Sequence, residues 1–160
     1  MSDNKVHIRT YVPGDASYVS YMHMKYYGEY YSFKPVFEYY VIKGITEFLH
    51  NPSGSNLWMA EAEGRAVGSI AIVKTQEAAQ LRWFLVDKEY QGIGIGRKLM
   101  NTALNFCKDQ GYNRVFLWTG SILKVARYLY KDFGFSLTEE NTNTDWADYT
   151  ITEERWELNT

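Results

Sequence analysis

At 160 residues, with a formal charge of −2, a pI near 5.9 and basic residues interspersed with acids, the chain carries no basic footprint for DNA or RNA. Its one cysteine, Cys107, excludes an internal disulfide, no run approaches the ~20 apolar residues of a membrane span, and Met1-Ser2-Asp3-Asn4-Lys5 has no apolar signal core, so cytoplasm is the expected compartment. The length predicts a single domain over 1–160 that buries about 70% of the surface its unfolded form exposes, enough for a core without staples.

Val6 to Tyr11 reads as a first strand, and Pro13-Gly14-Asp15 turns it into a helix from about Ala16 to Tyr30. A second helix runs from about Pro35 to Leu49, stopped by Asn51-Pro52-Ser53-Gly54, and these two helices would sit between the first strand and the rest of the sheet. The first forty residues hold Tyr18, Tyr21, Tyr26, Tyr27, Tyr30, Tyr31, Tyr39 and Tyr40, in a chain that is 17% aromatic. Large side chains with one wet end either pack these helices or wall a pocket. Asn56 to Glu61 and Arg65 to Lys74, joined at Glu63-Gly64, read as a hairpin. Gln80 to Val86 follows as the central strand, its near-continuous apolar character predicting burial on both faces.

That strand leads into Gln91-Gly92-Ile93-Gly94-Ile95-Gly96-Arg97-Lys98, where a helix begins. Glycines let successive N–H groups point into one concavity, and a helix N-terminus adds free donors and its positive dipole end, which together suit a phosphate. A Walker A loop would need Gly-Lys-Ser/Thr, but Lys98 is followed by Leu99 and stands two residues after Gly96. A dinucleotide fingerprint would need a third glycine where Arg97 or Leu99 stands. Both fail on spacing. Ile95, Leu99, Ala103, Phe106 and Cys107 make one helical stripe ending at Gly111, which assigns Cys107 to core packing. Asn113 to Trp118 is the next strand, Ser121 caps a helix that Gly134 ends, and Phe135 to Leu137 with about Tyr149 to Leu158 complete the sheet around the polar stretch Glu139 to Asp145.

What the loop does match is Gln/Arg-x-x-Gly-x-Gly/Ala, as Gln91, Gly94 and Gly96. Val86-Asp87-Lys88-Glu89-Tyr90 precedes it, and Leu129-Tyr130-Lys131-Asp132-Phe133-Gly134-Phe135 reads as Leu-Tyr-x-x-x-Gly-Phe downstream. In these motifs the chain resembles the GNAT superfamily of N-acetyltransferases. Gln80 to Val86, Phe116 to Thr119, Pro13-Gly14-Asp15 and Tyr27 to Tyr30 look like the acetyltransferase domains fused behind winged-helix, MarR-type regulators, although no winged-helix portion is present. The resemblance implies an α/β fold, with a mixed, mostly antiparallel sheet of about seven strands flanked by about four helices.

The resemblance also implies the chemistry: acetyl-CoA as co-substrate, no metal, and a primary amine of a small molecule or peptide attacking directly in a ternary complex. A homodimer is compatible with it. Backbone donors of Gln91, Gly92, Ile93, Gly94, Ile95, Gly96 and Arg97 would hold the pyrophosphate, and the edge of Phe84, Leu85 and Val86 would pair with the pantetheine arm, a backbone N–H there polarising the thioester carbonyl. Arg97 and Lys98 either contact phosphate or form a solvated first turn. Tyr130 is the candidate general acid for the departing thiolate. It lies four residues after Ala126 and one off an apparent core stripe of Ile122, Val125, Leu129 and Phe133, which would put its hydroxyl at the edge of the core. Many relatives carry asparagine three residues before the alanine matching Ala126, whereas this chain has Leu123. Gln80 to Val86 contains no acid, so Glu29 and His23 are the candidates for the acceptor side. His7 and His50 have no metal partner at a recognisable spacing. The alternatives to acetyl transfer are another acyl-CoA donor, or a module that senses acetyl-CoA without turnover.

Overall fold

The computed structural model describes residues 5–160; the N-terminal reading of Met1 through Asn4 lies outside them. The elements follow the order β1 (Val6–Thr10), α1 (Asp15–Tyr31), α2 (Pro35–His50), β2 (Asn56–Ala62), β3 (Arg65–Lys74), β4 (Ala79–Val86), a 3-10 turn at Lys88–Tyr90, α3 (Ile95–Asp109), β5 (Arg114–Gly120), α4 (Lys124–Asp132), β6 (Ser136–Asn143) and β7 (Ile151–Asn159). The seven strands form one sheet in the order β1-β2-β3-β4-β5-β7-β6, antiparallel except between β4 and β5. This is the mixed sheet with four helices that the sequence predicts.

Local chemistry explains most boundaries. Pro35 occupies the first turn of α2, where its missing N–H costs no hydrogen bond. Glu63 and Gly64 both take positive φ, 53° and 78°, which is the two-residue hairpin geometry that matches strand twist. α3 buries Ile95, Leu99, Met100, Ala103, Leu104 and Cys107, so the anticipated stripe is the core face, and burial pushes the Cys107 thiol up to about 12. Each fully buried aliphatic side chain contributes about 1.5–3 kcal/mol, so this stripe outweighs the poor helix propensity of Gly96 within it.

The two sheet faces are covered by different helices. α3 and Tyr130 of α4 pack on one face against Ile70, Ile72 and Leu81. α1 and α2 cover the other with Val19, Val41, Ile45 and Phe48 against Leu57, Ala71 and Trp83. α1 and α2 therefore do not separate β1 from the sheet. β1 pairs directly with β2, and both helices lie across one face.

Three expectations change. Ser121 does not cap α4: the helix starts at Lys124 after Leu123, with no side-chain cap, because Leu123 and Lys124 first close tight turns onto Gly120 and Ile122. Much of the polar stretch after Leu137 is not a loop but continues β6, an edge strand whose residues are almost all exposed. β4 is central, yet it is not covered on both faces throughout; Gln80, Arg82 and Phe84 stay partly open because the sheet parts beside them.

Candidate functional site

A break in β4 builds the site. Ser69 of β3 pairs with Leu85 and Ala71 pairs with Arg82, so Ile70 alone faces both Trp83 and Phe84 in a β-bulge. Trp83 adopts φ 48°, an uncommon conformation for a bulky side chain, and the buried Ser69 hydroxyl donates to its carbonyl at 2.6 Å. The bulge puts Arg82 and Trp83 in succession on the α1–α2 side and turns Phe84 to the other. On its far side β4 pairs with β5 only at Ala79–Val115 and Gln80–Phe116. Beyond Gln80 the two strands diverge, and the β4 backbone edge is left without a ladder partner.

The divergence opens a cleft of about 560 Å³ lined by Phe84, Leu85, Val86, the glycine loop and the start of α4. Gly92 and Gly94 have φ 83° and 92°, and a Cβ at either would meet nothing within 4 Å, so conformation and not space demands glycine there. Gly96 is different: a Cβ would stand 3.4 Å from Leu129 and Phe84, the two walls of the cleft. The first α3 hydrogen bond joins the Lys98 N–H to the Gly94 carbonyl at 3.1 Å, which leaves the amides of Ile95, Gly96 and Arg97 in the free first turn.

The loop's side chains serve the scaffold. Gln91 donates to the Val86 carbonyl at 2.9 Å and to the Tyr26 hydroxyl at 3.2 Å, tying the loop to the end of β4. Arg97 lines the cleft, and its guanidinium pairs with Asp132 at 2.6 Å. Both partners are more than half exposed, which limits the pair to about 0–1 kcal/mol. Ile93 is exposed and Ile95 buried, and neither lines the cleft.

On the α1–α2 side lies a second cavity of about 400 Å³. Its aromatic wall is a chain of ring contacts: Tyr27 on Phe33 at 5.4 Å, Phe33 on Phe37 at 4.9 Å and Phe37 on Trp146 at 4.9 Å. The β6–β7 loop presents Trp146 there; Asn143 Oδ1 accepts from the amides of Asp145 and Trp146, and the Lys34 N–H donates to the Trp146 carbonyl at 2.6 Å. Both readings of the tyrosine-rich segment hold in part, since Tyr27 and Tyr40 line this cavity and Tyr26 and Tyr27 pack against the α1–α2 core, while Tyr18, Tyr21 and Tyr39 are exposed and do neither.

His23 belongs to this cavity and Glu29 does not. Glu29 is exposed, because six residues along α1 rotate it about 240° from His23, while Tyr27 at four residues stays alongside. His23 is buried and its Nδ1 lies 2.7 Å from the Val19 carbonyl, so Nδ1 carries the proton and Nε2 is left as an acceptor. Burial lowers its pKa to about 4, which keeps the ring neutral.

Tyr130 is not at the edge of a Leu129–Phe133 stripe; it is the buried residue of α4, 5% exposed, whereas Val125 points to solvent at 75%. Ile122 lies before the helix, so it does not share a helical stripe with Val125, Leu129 and Phe133. Tyr130 still shares a side with Ala126, both lining the second cavity, and its ring packs on Phe84 at 6.2 Å and Phe135 at 5.9 Å. Burial pushes its hydroxyl pKa up. Phe84, Tyr27, Leu123 and Ala126 line both cavities, so the two meet at Phe84 beside Tyr130.

Three polar residues were not among the predicted site residues. Arg82 and Glu153 line the second cavity, with Glu153 accepting from Asn143 Nδ2 at 3.0 Å. Glu154 is 1% exposed, gripped by Arg127 of α4 at 2.7 and 3.1 Å and by Trp156 Nε1 at 3.1 Å, and so it anchors the helix that carries Tyr130. The available signal was a lone charge within the apolar run of β4. Among the described residues, no group of three or more His, Cys, Asp or Glu is placed to hold a metal, and no helix is long and apolar enough to cross a membrane.

The acetyltransferase (GNAT) family model matches residues 18–135. The chain belongs to the GNAT acetyltransferase family. Among curated proteins it is similar to human N-acetyltransferase 8, 35% identical over 109 residues that make up 64% of this chain and 48% of that protein. The mouse N-acetyltransferase 8 is 36% identical over 103 residues. The chain thus spans about half the length of the curated relatives it matches. Its fold is that of an N-acetyltransferase from Staphylococcus aureus Mu50, with TM-score 0.79 and 18% identity over 97% of this chain and 98% of that one. A Salmonella typhimurium protein whose structure holds its cofactor acetyl-CoA superposes with TM-score 0.75 at 13% identity, covering 98% and 94%.

Proposed function

We propose that the chain transfers the acetyl group of acetyl-CoA to a primary amine by direct attack, with donor and acceptor bound together. One arrangement carries this reading: an open strand edge with a glycine loop on one side and an aromatic cavity on the other, meeting at Phe84 beside the buried Tyr130. The family, the N-acetyltransferase name of the human relative and the acetyl-CoA held by the Salmonella protein all support it. The narrower kinship with domains that follow winged-helix regulators rests on the sequence segments alone.

In this reading the free amides of Ile95, Gly96 and Arg97, with the nest at Gly92 and Gly94, receive the pyrophosphate at the positive end of α3. The unpaired edge of Phe84, Leu85 and Val86 takes the pantetheine arm as an added strand and aims an N–H at the thioester carbonyl. Leu123, lining both cavities, gives that arm an apolar neighbour where a polar one is common. The amine approaches from the aromatic cavity, where the Glu153 carboxylate is the proton acceptor and Nε2 of His23, kept neutral by burial, accepts a hydrogen bond. An ammonium releases one proton before attack. The new C–N bond forms, the C–S bond breaks, and the second proton ends on the thiolate with the Tyr130 hydroxyl positioned to donate to it.

The test is to add acetyl-CoA to the purified chain, follow its melting temperature, and follow free thiol with a panel of primary amines. A higher melting temperature and amine-dependent thiol release are expected. Stabilisation with no thiol release from any amine would leave a sensing module in place of a transferase, and no stabilisation would overturn acetyl-CoA binding itself.

A further inference from the structure

Arg82 is the only charged residue in β4, and the bulge delivers it beside Trp83 to the α1–α2 face. Trp83 completes that face of the core against Phe48 at 5.9 Å, while Arg82 lines the aromatic cavity. Its guanidinium lies 4.8 Å from the Trp83 ring centroid and directly over Gly44 of α2. A Cβ at Gly44 would stand 2.7 Å from Nη2 and 3.0 Å from Cζ and Nη1, so the helix lacks a side chain just where the guanidinium needs room.

The cradle has a cation and no anion. Among the described residues no carboxylate lies within ion-pair distance of Arg82 and no acceptor hydrogen-bonds it, and Glu153, the acid that lines the same cavity, accepts from Asn143 instead. Glu47, one turn along α2 from Gly44, is exposed and acts on Arg82 only through space. A half-buried guanidinium that faces a cavity with no protein acceptor is free to bind an anion there, and a planar five-donor fork matches a carboxylate bidentately. The remainder of the cavity is the Tyr27–Phe33–Phe37–Trp146 wall, which accepts a ring or a large apolar group.

We propose that the acceptor is a primary amine bearing both a carboxylate and an aromatic or large apolar group, with Arg82 anchoring the carboxylate over Gly44 and the aromatic wall holding the rest. The volume of about 400 Å³ suits a molecule of amino-acid size, and the Glu153 carboxylate provides the charge to receive its cationic amine. This rests on the transfer reading above and names its substrate class.

The experiment compares L-phenylalanine, L-phenylalaninamide and phenethylamine as acceptors with acetyl-CoA, following free thiol, in the natural chain and in Arg82→Met and Arg82→Lys. Phenylalanine is expected to exceed its amide in kcat/KM by about 10- to 100-fold, the range of one charge-assisted bidentate contact. Arg82→Met should bring that ratio near one, and Arg82→Lys should retain an intermediate ratio, with circular dichroism spectra matching the natural chain. Calorimetric titration of N-acetyl-L-phenylalanine reads the anchor without turnover, and binding that Arg82→Met weakens at least tenfold is expected. Thiol release with no preference for the carboxylate overturns the proposal and leaves acetyl transfer standing. No thiol release from any amine, with Arg82-dependent binding of N-acetyl-L-phenylalanine, supports the anchor and overturns the transfer reading. Binding that is absent or indifferent to Arg82 overturns the anchor.

Discussion

Replacing Tyr130 with phenylalanine removes one oxygen from the junction of the two cavities and leaves the ring that packs on Phe84 and Phe135. The hydroxyl has no hydrogen-bond partner among the described residues and opens on the cavity, so its loss strands no internal group and should move stability by no more than about 0.5 kcal/mol. Activity is another matter. Handing a whole proton from a tyrosine of pKa about 10 to a thiolate of about 8.5 is uphill by roughly 2 kcal/mol, and burial raises Tyr130 further. Tyr130 therefore helps by donating a hydrogen bond to sulfur as the C–S bond opens, and a hydrogen bond to a charged group contributes about 1.5–3 kcal/mol. Tyr130→Phe should lower kcat by about 10- to 100-fold, with acetyl-CoA affinity within about threefold of the natural chain. Thiol release at saturating amine and acetyl-CoA, calorimetric titration of acetyl-CoA and a thermal melt check the three parts. A kcat within twofold of the natural chain would remove Tyr130 from leaving-group chemistry, and a melting temperature lowered by many degrees would make its role structural.

Ser69→Ala leaves the Trp83 carbonyl without its buried donor in the bulge, at a cost of about 1–3 kcal/mol that thermal or urea unfolding would read; an unchanged melt would mean the bulge holds without it. At Gly94, alanine and glutamate share the strain of a positive φ, about 1–2 kcal/mol, since neither meets an atom within 4 Å at Cβ. Only glutamate puts a carboxylate at the nest, so Gly94→Glu should lose far more acetyl-CoA affinity than Gly94→Ala by calorimetry, and equal losses would refute phosphate binding there. His23 falls from 6.5 to about 4 on burial, so the unfolded chain takes up the proton first. Stability from this group is complete above pH 6.5 and is lost as pH falls from 6.5 toward 4, by roughly 3 kcal/mol in all. Denaturant titrations across that range should lose this slope in His23→Gln; a slope unchanged in the variant would refute it.

Where a residue's signal was local, the sequence showed it plainly. Pro35, the Glu63-Gly64 turn and the apolar stripe of α3 act within one or two turns of chain, and the elements they bound match to within a residue or two. The part of β6 beyond Leu137 escaped because periodicity needs a buried face, and an edge strand with nearly every residue in water has none. The α4 face was misjudged because apolar character was taken as the mark of burial: Ile122 precedes the helix and Val125 points to solvent, while the inward residue is Tyr130, whose ring packs although its hydroxyl is polar. Glu29 is on the same helix as His23 but at an angle that leaves it exposed and lining neither cavity. Arg82 showed only as a lone charge in an apolar run, and Glu153 not at all, because their meaning is not local: it comes from a bulge set by a serine in the neighbouring strand, a glycine in α2, and the β7 strand that lies beside β5.

The bulge at Trp83 links these observations into one device. A regular β4 would alternate strictly, putting Arg82 on one face and Trp83 on the other, and would keep pairing with β5 past Gln80. With one residue taken up by the bulge, Trp83 can seal the α1–α2 core while Arg82 beside it stays in the cavity, and Phe84 crosses to the wall against Gly96 and Tyr130. The backbone edge proposed to receive the donor lies in the same stretch, beyond the last β5 pairing at Gln80. The proposed donor edge, the proposed acceptor anchor and the junction between them thus all flank a strained φ at Trp83, whose carbonyl is held by one buried hydroxyl. The site's geometry should therefore respond to Ser69 and Trp83 more sharply than to any single residue of the glycine loop, whose contribution is spread over several amides.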